Sequence, residues 1–386
     1  MGRVSFWALA PALLLACGPK IDPLQDTREA YRDALQAPPE DLRHHAVVAA
    51  SDATAGALLA DLAVGAPVTA PGPFGMKLVL LPTVSRASAS GDGRDPLQFH
   101  AELAGTTDIV FPLLSADDLA WEATVDAPIA SWTNERADGL EVGVQWADRD
   151  QVRVDLHLPA APEQAAALAQ GAVQGAVTAV LDEGLGFVLP RTPWGAVRDV
   201  RIAGTGEGLV AELVLSGVGG DPPPLSGIPA EGVVAAVSDD TILGIAKAIA
   251  VEQQAVDDTY VVEPIDVRCT DHEVVVDLRL HRRGRRAKFR TYRLAAPLRW
   301  DGEAISWPVV EFELLGHERW RGGWRTNIGE NRAKALLDGA IAEVPTTLAT
   351  SVGKRRMVLN LQDLTVVEGG LELVGAVEVE SVDEGP

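Results

Sequence analysis

The feature that most constrains the fold of this chain is an internal duplication. A short β-type run ends at Ser51-Asp52 and leads into an Ala- and Leu-rich segment, and a similar run ends at Ser238-Asp239 before a similar segment. Ser and Asp are preferred at helix N-caps, and the apolar residues that follow recur at helical spacing. Both copies therefore predict a strand followed directly by a helix. The alignment also places Thr54 on Thr241, Leu58 on Ile245 and Leu62 on Ile249.

A second pair of matching segments closes each half. Residues 167–173 resemble residues 335–341, and each segment begins a long Ala-rich stretch. We expect helices over about 161–183 and about 330–350. Each is followed by two β-type runs with a Gly-containing turn between them, at 197–203 and 209–215 and at 357–367 and 371–382. Two matches in the same order predict a tandem repeat of roughly 160 to 180 residues.

Long runs between these helices alternate apolar and polar residues. Residues 140–146, 152–158 and 274–280 carry Val, Leu or Trp at every second position. A period of two is typical of antiparallel sheets with one apolar face and one solvated face. The residues predicted on solvated faces include Arg153, Asp155, His157, Asp277, Arg279 and His281.

The N-terminus predicts export and membrane attachment. Arg3 precedes an apolar segment over residues 4–16 that is too short to span a bilayer, so it is typical of a signal peptide. Its ending, Leu-Leu-Ala-Cys17, resembles the bacterial lipoprotein box, which implies cleavage after residue 16 and acylation of Cys17 with chains such as palmitate. Gly18 favours the outer membrane, facing the periplasm. An ordinary signal peptide that happens to contain a cysteine is the alternative.

Composition limits the partners and the cross-links. The formal net charge of −22 argues against nucleic acid and against broad adhesion to anionic membranes. Once Cys17 is acylated, Cys269 has no disulfide partner. The predicted organisation is a signal peptide (1–16), a tether (17–42), a first module (43–217), a Gly/Pro-rich linker (218–229) and a second module (230–382).

This order of elements resembles the tubular lipid-binding (TULIP) superfamily, in its two-module type with bactericidal/permeability-increasing protein. The Val-Val-x-x-Ser-Asp opening is similar to the start of those modules. The run from Leu181 to Pro193 is similar to their closing segment. The resemblance implies an α+β fold with two tandem modules, each a highly curved antiparallel sheet wrapped around a long helix. It also implies an apolar groove for acyl chains. Animal members carry a disulfide in one module, which this chain lacks.

The residues of the first long helix agree with such a groove. Residues 161–183 are apolar on most of the circumference, apart from Gln164, Gln170, Gln174 and Thr178, and a helix of this kind must be enclosed. Its small residues admit either an open channel or close packing without a ligand, and both remain open. The predicted groove residues are Leu58, Leu62, Leu168, Val173, Val177, Ile242, Ile245, Ile249, Leu336 and Ile341.

One basic cluster stands out in this acidic chain. Arg282, Arg283, Arg285 and Arg286 surround Gly284 where a hairpin would turn. Guanidinium groups match phosphate geometry, so these arginines are candidate contacts for a lipid headgroup; a solvated loop that protects strand edges is the alternative. The segment Trp320–Arg325 forms either an amphipathic rim near a groove mouth or a plain turn.

The motif search indicates no enzyme and no cofactor. The nucleophile-elbow, phosphate-loop and zinc-protease signatures are missing from the sequence. We expect His44, His45 and the Asp271-His272-Glu273 run to be surface residues, and Cys269 to be a core residue. The predicted function is a lipid-anchored envelope lipoprotein that binds or transfers lipid. The alternatives are an assembly lipoprotein of the same fold with a filled core and a protein partner, and a hydrolase of unrecognised type.

Overall fold

The computed structural model describes a chain built mainly from antiparallel strands. It covers residues 25, 29, 33, 44–63, 68–71, 77–90, 97–110, 115–158, 163–180, 185–190, 197–205, 207–216, 219–252, 260–270, 272–282, 288–308, 311–318, 346–352 and 355–381. Cys17, the signal peptide and most of the tether therefore lie outside the described residues.

Each half of the chain begins with a strand that runs directly into a helix. In the first half these are β1 (Ala46–Ser51) and α1 (Asp52–Ala63), and a longer helix, α2 (Glu163–Val180), follows the strands. In the second half they are β11 (Val233–Ser238) and α3 (Asp239–Glu252). The other strands of the first half are β2 (Val68–Pro71), β3 (Lys77–Ser90), β4 (Leu97–Val110), β5 (Ser115–Glu135), β6 (Gly139–Trp146), β7 (Arg153–His157), β8 (Leu185–Pro190), β9 (Val197–Thr205) and β10 (Gly208–Leu215). Those of the second half are β12 (Tyr260–Thr270), β13 (Glu273–Arg282), β14 (Lys288–Ala296), β15 (Arg299–Trp300), β16 (Ile305–Ser306), β17 (Glu311–Glu318), β18 (Thr347–Val352), β19 (Arg355–Val367) and β20 (Gly370–Ser381).

Three large antiparallel sheets organise these strands. The first-half sheet has the order β2-β3-β4-β5-β6-β8, with β7 paired to β5. The second-half sheet has the order β12-β13-β14-β17. The third, which we call the shared sheet, has the order β18-β19-β20-β11-β1-β10-β9.

The shared sheet corrects the prediction of one separate sheet for each module. β1 of the first half pairs directly with β11 of the second half. The hairpin that closes the first half (β9–β10) and the hairpin that closes the second half (β19–β20) therefore belong to one sheet. The first strand of each half, β1 or β11, pairs on one side with the closing hairpin of that half, which leaves the backbone groups of its other edge without a partner. An antiparallel strand satisfies those groups. The duplicated segments therefore meet in the middle of the shared sheet.

The two strand-to-helix junctions have the same capping geometry, as the duplication predicts. The Thr54 amide donates to Ser51 Oγ at 3.2 Å, and the Thr241 amide donates to Ser238 Oγ at 3.1 Å. These bonds satisfy an amide in the first turn of each helix, which has no partner within the helix. Each threonine also reaches the other half. Thr54 Oγ1 donates to the Ala230 carbonyl at 3.3 Å, and Thr241 Oγ1 donates to the His45 carbonyl at 3.0 Å.

The closing hairpins also match. Gly208 pairs with Ser51, and Gly370 pairs with Ser238. A Cβ at Gly208 would overlap the Ala50 carbonyl oxygen, and one at Gly370 would overlap the Val237 carbonyl oxygen. Glycine is therefore needed at both positions for close approach of two backbones.

The linker between the halves packs against the shared sheet. Residues 219–232 contain no helix or strand, as predicted for this part of the linker. However, the Ser226 amide and hydroxyl both donate to the buried Glu372 carboxylate, at 2.7 and 2.5 Å, and Pro223 is buried. The described linker is thus held by a charge-assisted pair of hydrogen bonds.

One prediction about secondary structure needs correction. The second long helix was expected over about 330–350, but Thr347–Val352 is strand β18, and residues 319–345 lie outside the described residues.

Among the helices of the described residues, none has the length and apolar character needed to cross a membrane.

The alternation of the long strands is confirmed except at His281. Val152, Val154 and Leu158 are buried, whereas Arg153, Asp155 and His157 are exposed. His281 was expected in solvent but is only 6% exposed, because its Nε2 lies 2.7 Å from the Glu263 carboxylate and its ring packs against Phe289. A buried histidine of this kind is accommodated by its hydrogen bond.

Candidate functional site

The apolar face of the first-half sheet covers one side of α2. The core there contains Val125, Ile129 and Val154 from the strands and Ala169 and Val173 from α2. Val173 is buried in this core and Val177 packs against it, which places two of the predicted groove residues on one apolar surface.

Two glutamines of α2 bind the free edge of β7. Gln170 Oε1 accepts the Leu156 amide at 2.7 Å and its Nε2 donates to the Val154 carbonyl. Gln174 Oε1 accepts the Val154 amide at 3.0 Å and its Nε2 donates to the Val152 carbonyl at 2.6 Å. Side chains four residues apart lie on one face of a helix, so this pair replaces a neighbouring strand. The sequence offered a signal, namely two glutamines four apart on an otherwise apolar helix.

The opposite side of α2 is open, which corrects the expectation that the helix is enclosed all round. Ala167, Gly171 and Gly175 are exposed, and a Cβ at either glycine would meet no atom within 4 Å apart from its chain neighbours and the backbone of the helix itself. These residues are spaced by four and form one strip. The apolar surface of α2 therefore reaches the exterior along this side.

The second-half sheet has an apolar inner face. Val274, Val276, Leu278 and Leu280 of β13 are buried, as are Tyr292 and Leu294 of β14. Ile242 and Leu243 of α3 pack against this surface. Phe312 of β17 extends it, with its ring 4.8 Å from the Tyr292 ring.

This inner face opens to the exterior at β17. Leu314 lies opposite Tyr292 in the ladder, and residues opposite each other share one face of a sheet. Tyr292 is 1% exposed, Phe312 is half-buried and Leu314 is 42% exposed. Leu315, 41% exposed, is the extra residue of a β-bulge at the same place. Apolar surface thus runs without interruption from the core to solvent.

The predicted groove residues are distributed between the two halves. Leu58, Ile242 and Ile245 are half-buried on α1 and α3, and Val173 and Val177 belong to the first-half core. Val173 and Val177 belong to one apolar core, and Ile242 packs against the other. The side chains of Leu62, Leu168 and Ile249, and residues Leu336 and Ile341 entirely, lie outside what the structure describes.

Of the predicted headgroup contacts, Arg282 is described. It is exposed at the end of β13 and pairs in register with Lys288. Arg283, Arg285 and Arg286 lie outside the described residues, as does the segment Trp320–Arg325.

The candidate metal and nucleophile residues have structural partners. His45, expected on the surface, is buried: its Nδ1 accepts the Leu215 amide at 2.9 Å. Its burial lowers the pKa of the imidazole. His44 lies 2.8 Å from the Glu212 carboxylate. Among the described residues, no group of three or more His, Cys, Asp or Glu side chains is placed to hold a metal ion.

Cys269 is a core residue of β12, as predicted. Desolvation, with a smaller contribution from Asp239, raises the pKa of its thiol to about 12. A thiol in this state is protonated at neutral pH and is a poor nucleophile.

Comparison with known proteins gives distant likenesses in structure. No protein-family model matches this sequence, and no curated protein matches it. A crystal structure of lipopolysaccharide binding protein is similar with 12% identity and a TM-score of 0.35, over 87% of this chain and 99% of that one. P47 of Clostridium botulinum E1 is similar with 8% identity and a TM-score of 0.38, over 87% of this chain and 99% of that one. P47 from Clostridium botulinum A2 is similar with 6% identity and a TM-score of 0.36, over 86% and 97%.

Proposed function

We propose that this chain is a lipid-anchored protein of the bacterial cell envelope that binds lipid on the apolar inner faces of two tandem modules and catalyses no reaction. Membership of the tubular lipid-binding superfamily is part of the proposal. One observation carries it: the inner face of the second-half sheet is apolar from buried Tyr292 through Phe312 to exposed Leu314. An exposed apolar surface that continues into a core is suited to burying acyl chains.

The mode of attachment follows from the N-terminal sequence. Acylation of Cys17 would hold the protein at a membrane, and two or three chains make such attachment effectively permanent, since each buried CH₂ contributes about 0.8 kcal/mol. The Cys17→Ser variant should lose incorporation of labelled palmitate and should leave the outer-membrane fraction. Unchanged labelling of that variant would refute the anchor without bearing on lipid binding.

Lipid binding is tested by extraction of a soluble form, residues 18–386 secreted behind an ordinary signal peptide. Purified soluble form, extracted with organic solvent, should release lipid detectable by mass spectrometry. Leu314→Asp should reduce the amount released, because it places a charge on the apolar opening. Glu313→Gln, the neighbouring outer-face position on β17, is the matched control and should release as much as the parent protein. Equal release from all three would remove the inner face as the site.

An assembly role with a filled core remains a second candidate, because one observation favours it. Leu278, Leu280 and Leu294 are fully buried, so this part of the second half is already packed without a ligand. Under this alternative, the soluble form releases no lipid and its stability does not change when lipid is added.

A further inference from the structure

The two edges of the second-half sheet differ in the features that protect them. β12 is one edge strand, and it contains Pro264, which has no backbone amide to offer to another strand. Helix α3 also packs against β12. β17 is the other edge strand, and its far side, away from β14, has no strand beside it among the described residues. Unpaired backbone donors and acceptors on such an edge are a template for another strand.

The carboxylates of β12 are compensated within the sheet. The Glu263 carboxylate lies 2.7 Å from His281 Nε2. The Asp266 carboxylate lies 2.9 Å from Arg268 Nε. Both carboxylates of this edge strand therefore already have a cationic partner.

The carboxylates of β17 are not compensated in this way. Glu311 and Glu313 are exposed on the outer face, opposite to the apolar inner face, and neither forms an ion pair or a hydrogen bond with a described residue. Glu311 lies opposite Ala295 in the ladder. Glu313 lies opposite Arg293, whose guanidinium is already bound by Asp277 through two hydrogen bonds of 2.8 Å. The outer face of β17 therefore carries two carboxylates, two residues apart, that are available to a cation.

Apolar side chains alternate with these carboxylates. Phe312 and Leu314 occupy inner-face positions of β17. Leu314 and Leu315 are the large apolar side chains that the described part of the chain exposes, at 42% and 41%. Acidic residues and a bulge protect an edge from pairing, but exposed apolar residues work against that protection and mark a contact site. The bulge at Leu315 ends the regular part of the edge, so a partner would pair along residues 311–314.

We propose that the free edge of β17 binds an extended segment of a partner protein, in which basic and apolar residues alternate, as a fifth strand of the second-half sheet. In this mode of recognition, main-chain hydrogen bonds supply affinity and alternate side chains supply specificity. Basic side chains would lie beside Glu311 and Glu313, and apolar side chains would lie beside Phe312 and Leu314. The inference goes beyond the proposed lipid binding and does not depend on it.

Charge selects this partner over a second copy of the chain. Two β17 strands placed edge to edge would bring the glutamates of one copy toward those of the other. Like charges opposite each other destabilise a pair of strands. The net charge of −22 adds repulsion between two copies and attraction toward a basic segment.

The test uses the purified full chain and three fluorescently labelled octapeptides: alternating Lys and Val, alternating Glu and Val, and a block of Lys followed by a block of Val. Fluorescence anisotropy measures their affinities. The alternating Lys/Val peptide should bind most tightly, and its affinity should fall as salt is added, because exposed ion pairs are screened. Glu311→Gln combined with Glu313→Gln should weaken this binding about fivefold, the effect of removing two exposed ion pairs.

Reversal of the two charges gives the sharper result. Glu311→Lys combined with Glu313→Lys should bind the Glu/Val peptide more tightly than the Lys/Val peptide, which exchanges the wild-type preference. Glu273→Gln combined with Glu303→Gln, which removes two exposed carboxylates elsewhere, is the matched control and should bind as wild type does. Equal binding of the block and alternating Lys peptides by wild type would show attraction of charge without strand addition and overturn the proposal. Failure of the alternating Lys/Val peptide to bind would overturn it as well.

A measurement on the wild-type chain locates the bound peptide even if the variants do not fold. An alternating Lys/Val peptide with a photoreactive residue at one Val position should label residues 312–314. Labelling confined to β12 would contradict the proposed edge. Displacement of the peptide by phosphatidylcholine vesicles would assign the exposed leucines to a membrane surface and also overturn the proposal.

Discussion

Val48 of β1 pairs across the ladder with Ala235 of β11, the residue that the internal duplication aligns with it. An antiparallel pair in which a residue faces its own counterpart has a local two-fold axis through that pair. The axis explains the matched positions of Gly208 and Gly370, and it places Thr54 and Thr241 where each bonds to a carbonyl of the other half, although the two carbonyls are not counterparts in the repeat. The central pairing of the fold is thus a property of the repeat itself.

The matched glycines predict two equal destabilisations. Gly208→Ala and Gly370→Ala should each lower the free energy of unfolding by about 1–3 kcal/mol, because the added Cβ overlaps a carbonyl oxygen of β1 or β11. Urea denaturation measures both. Gly171→Ala is the control: its site on α2 is open, so it should raise stability by about 0.5–1 kcal/mol. A neutral effect at both hairpin glycines would contradict the close approach.

The glutamine bridge predicts a specific pattern of amide exchange. Gln170→Ala should speed hydrogen exchange at the Leu156 amide, and Gln174→Ala should speed it at the Val154 amide, because each variant removes the acceptor of that one amide. Each variant should also lower the free energy of unfolding by about 1–3 kcal/mol, the penalty for a buried polar group left without a partner. Gln145→Ala, at an exposed position of β6, should change neither amide. Exchange that is unchanged at both amides would contradict the bridge.

His45 predicts a loss of stability on mild acidification. Burial lowers the pKa of its imidazole from 6.5, so the folded state resists protonation more than the unfolded state does. Its contribution is therefore complete above about pH 6.5 and falls as the pH drops toward the folded-state pKa, by at most about 1.4 kcal/mol per pH unit. Urea denaturation between pH 8 and pH 5 measures this loss.

The control for His45 is an exposed histidine. His272→Gln should keep the pH dependence of the free energy of unfolding. His45→Gln should flatten that dependence between pH 8 and pH 5, whatever the variant does to stability at pH 8. The raised pKa values of Asp52 and Asp239, which come first from desolvation, act in the opposite sense. Each favours the folded state as the pH falls through the folded-state pKa toward 3.8. A profile that His45→Gln leaves unchanged would refute the role of the buried imidazole.

Cys269 predicts an unreactive thiol. In the Cys17→Ser variant it is the one remaining cysteine of the sequence, and its pKa of about 12 leaves almost no thiolate at pH 8. A thiol reagent should therefore label the native protein very slowly and the protein in guanidinium completely. Rapid stoichiometric labelling of the native state would show that the thiol is accessible.

The sequence predicted local structure better than it predicted pairing. Two local patterns were predicted correctly: the helical spacing after Ser51 and Ser238, and the alternation around Val154. Each depends on contacts within one segment of the chain, so the sequence of that segment is enough to predict it. The pairing of Val48 with Ala235 depends on which strand edges remain available after each hairpin has formed, and no local pattern encodes that. The duplication held the information, because equal segments can pair symmetrically.

The same distinction applies to the candidate site. The apolar positions Val173 and Ile242 were predicted from periodicity, and both lie on apolar surfaces. Arg290 follows the hairpin arginines in a basic stretch of the sequence. Its placement on the inner face follows from the register of β13 with β14, which the sequence alone does not specify. His45 is buried, with its Nδ1 accepting the Leu215 amide and its carbonyl oxygen accepting the Thr241 hydroxyl of the second half, and neither contact follows from a local sequence pattern.

Native mass spectrometry of the soluble form tests the central claim most directly. Protein purified without detergent, and again after incubation with oleyl phosphate, should show masses above that of the chain by whole lipid molecules. Leu314→Asp should reduce these adducts. A folded protein that shows only its own mass under both conditions would contradict the claim that its apolar inner faces bind lipid.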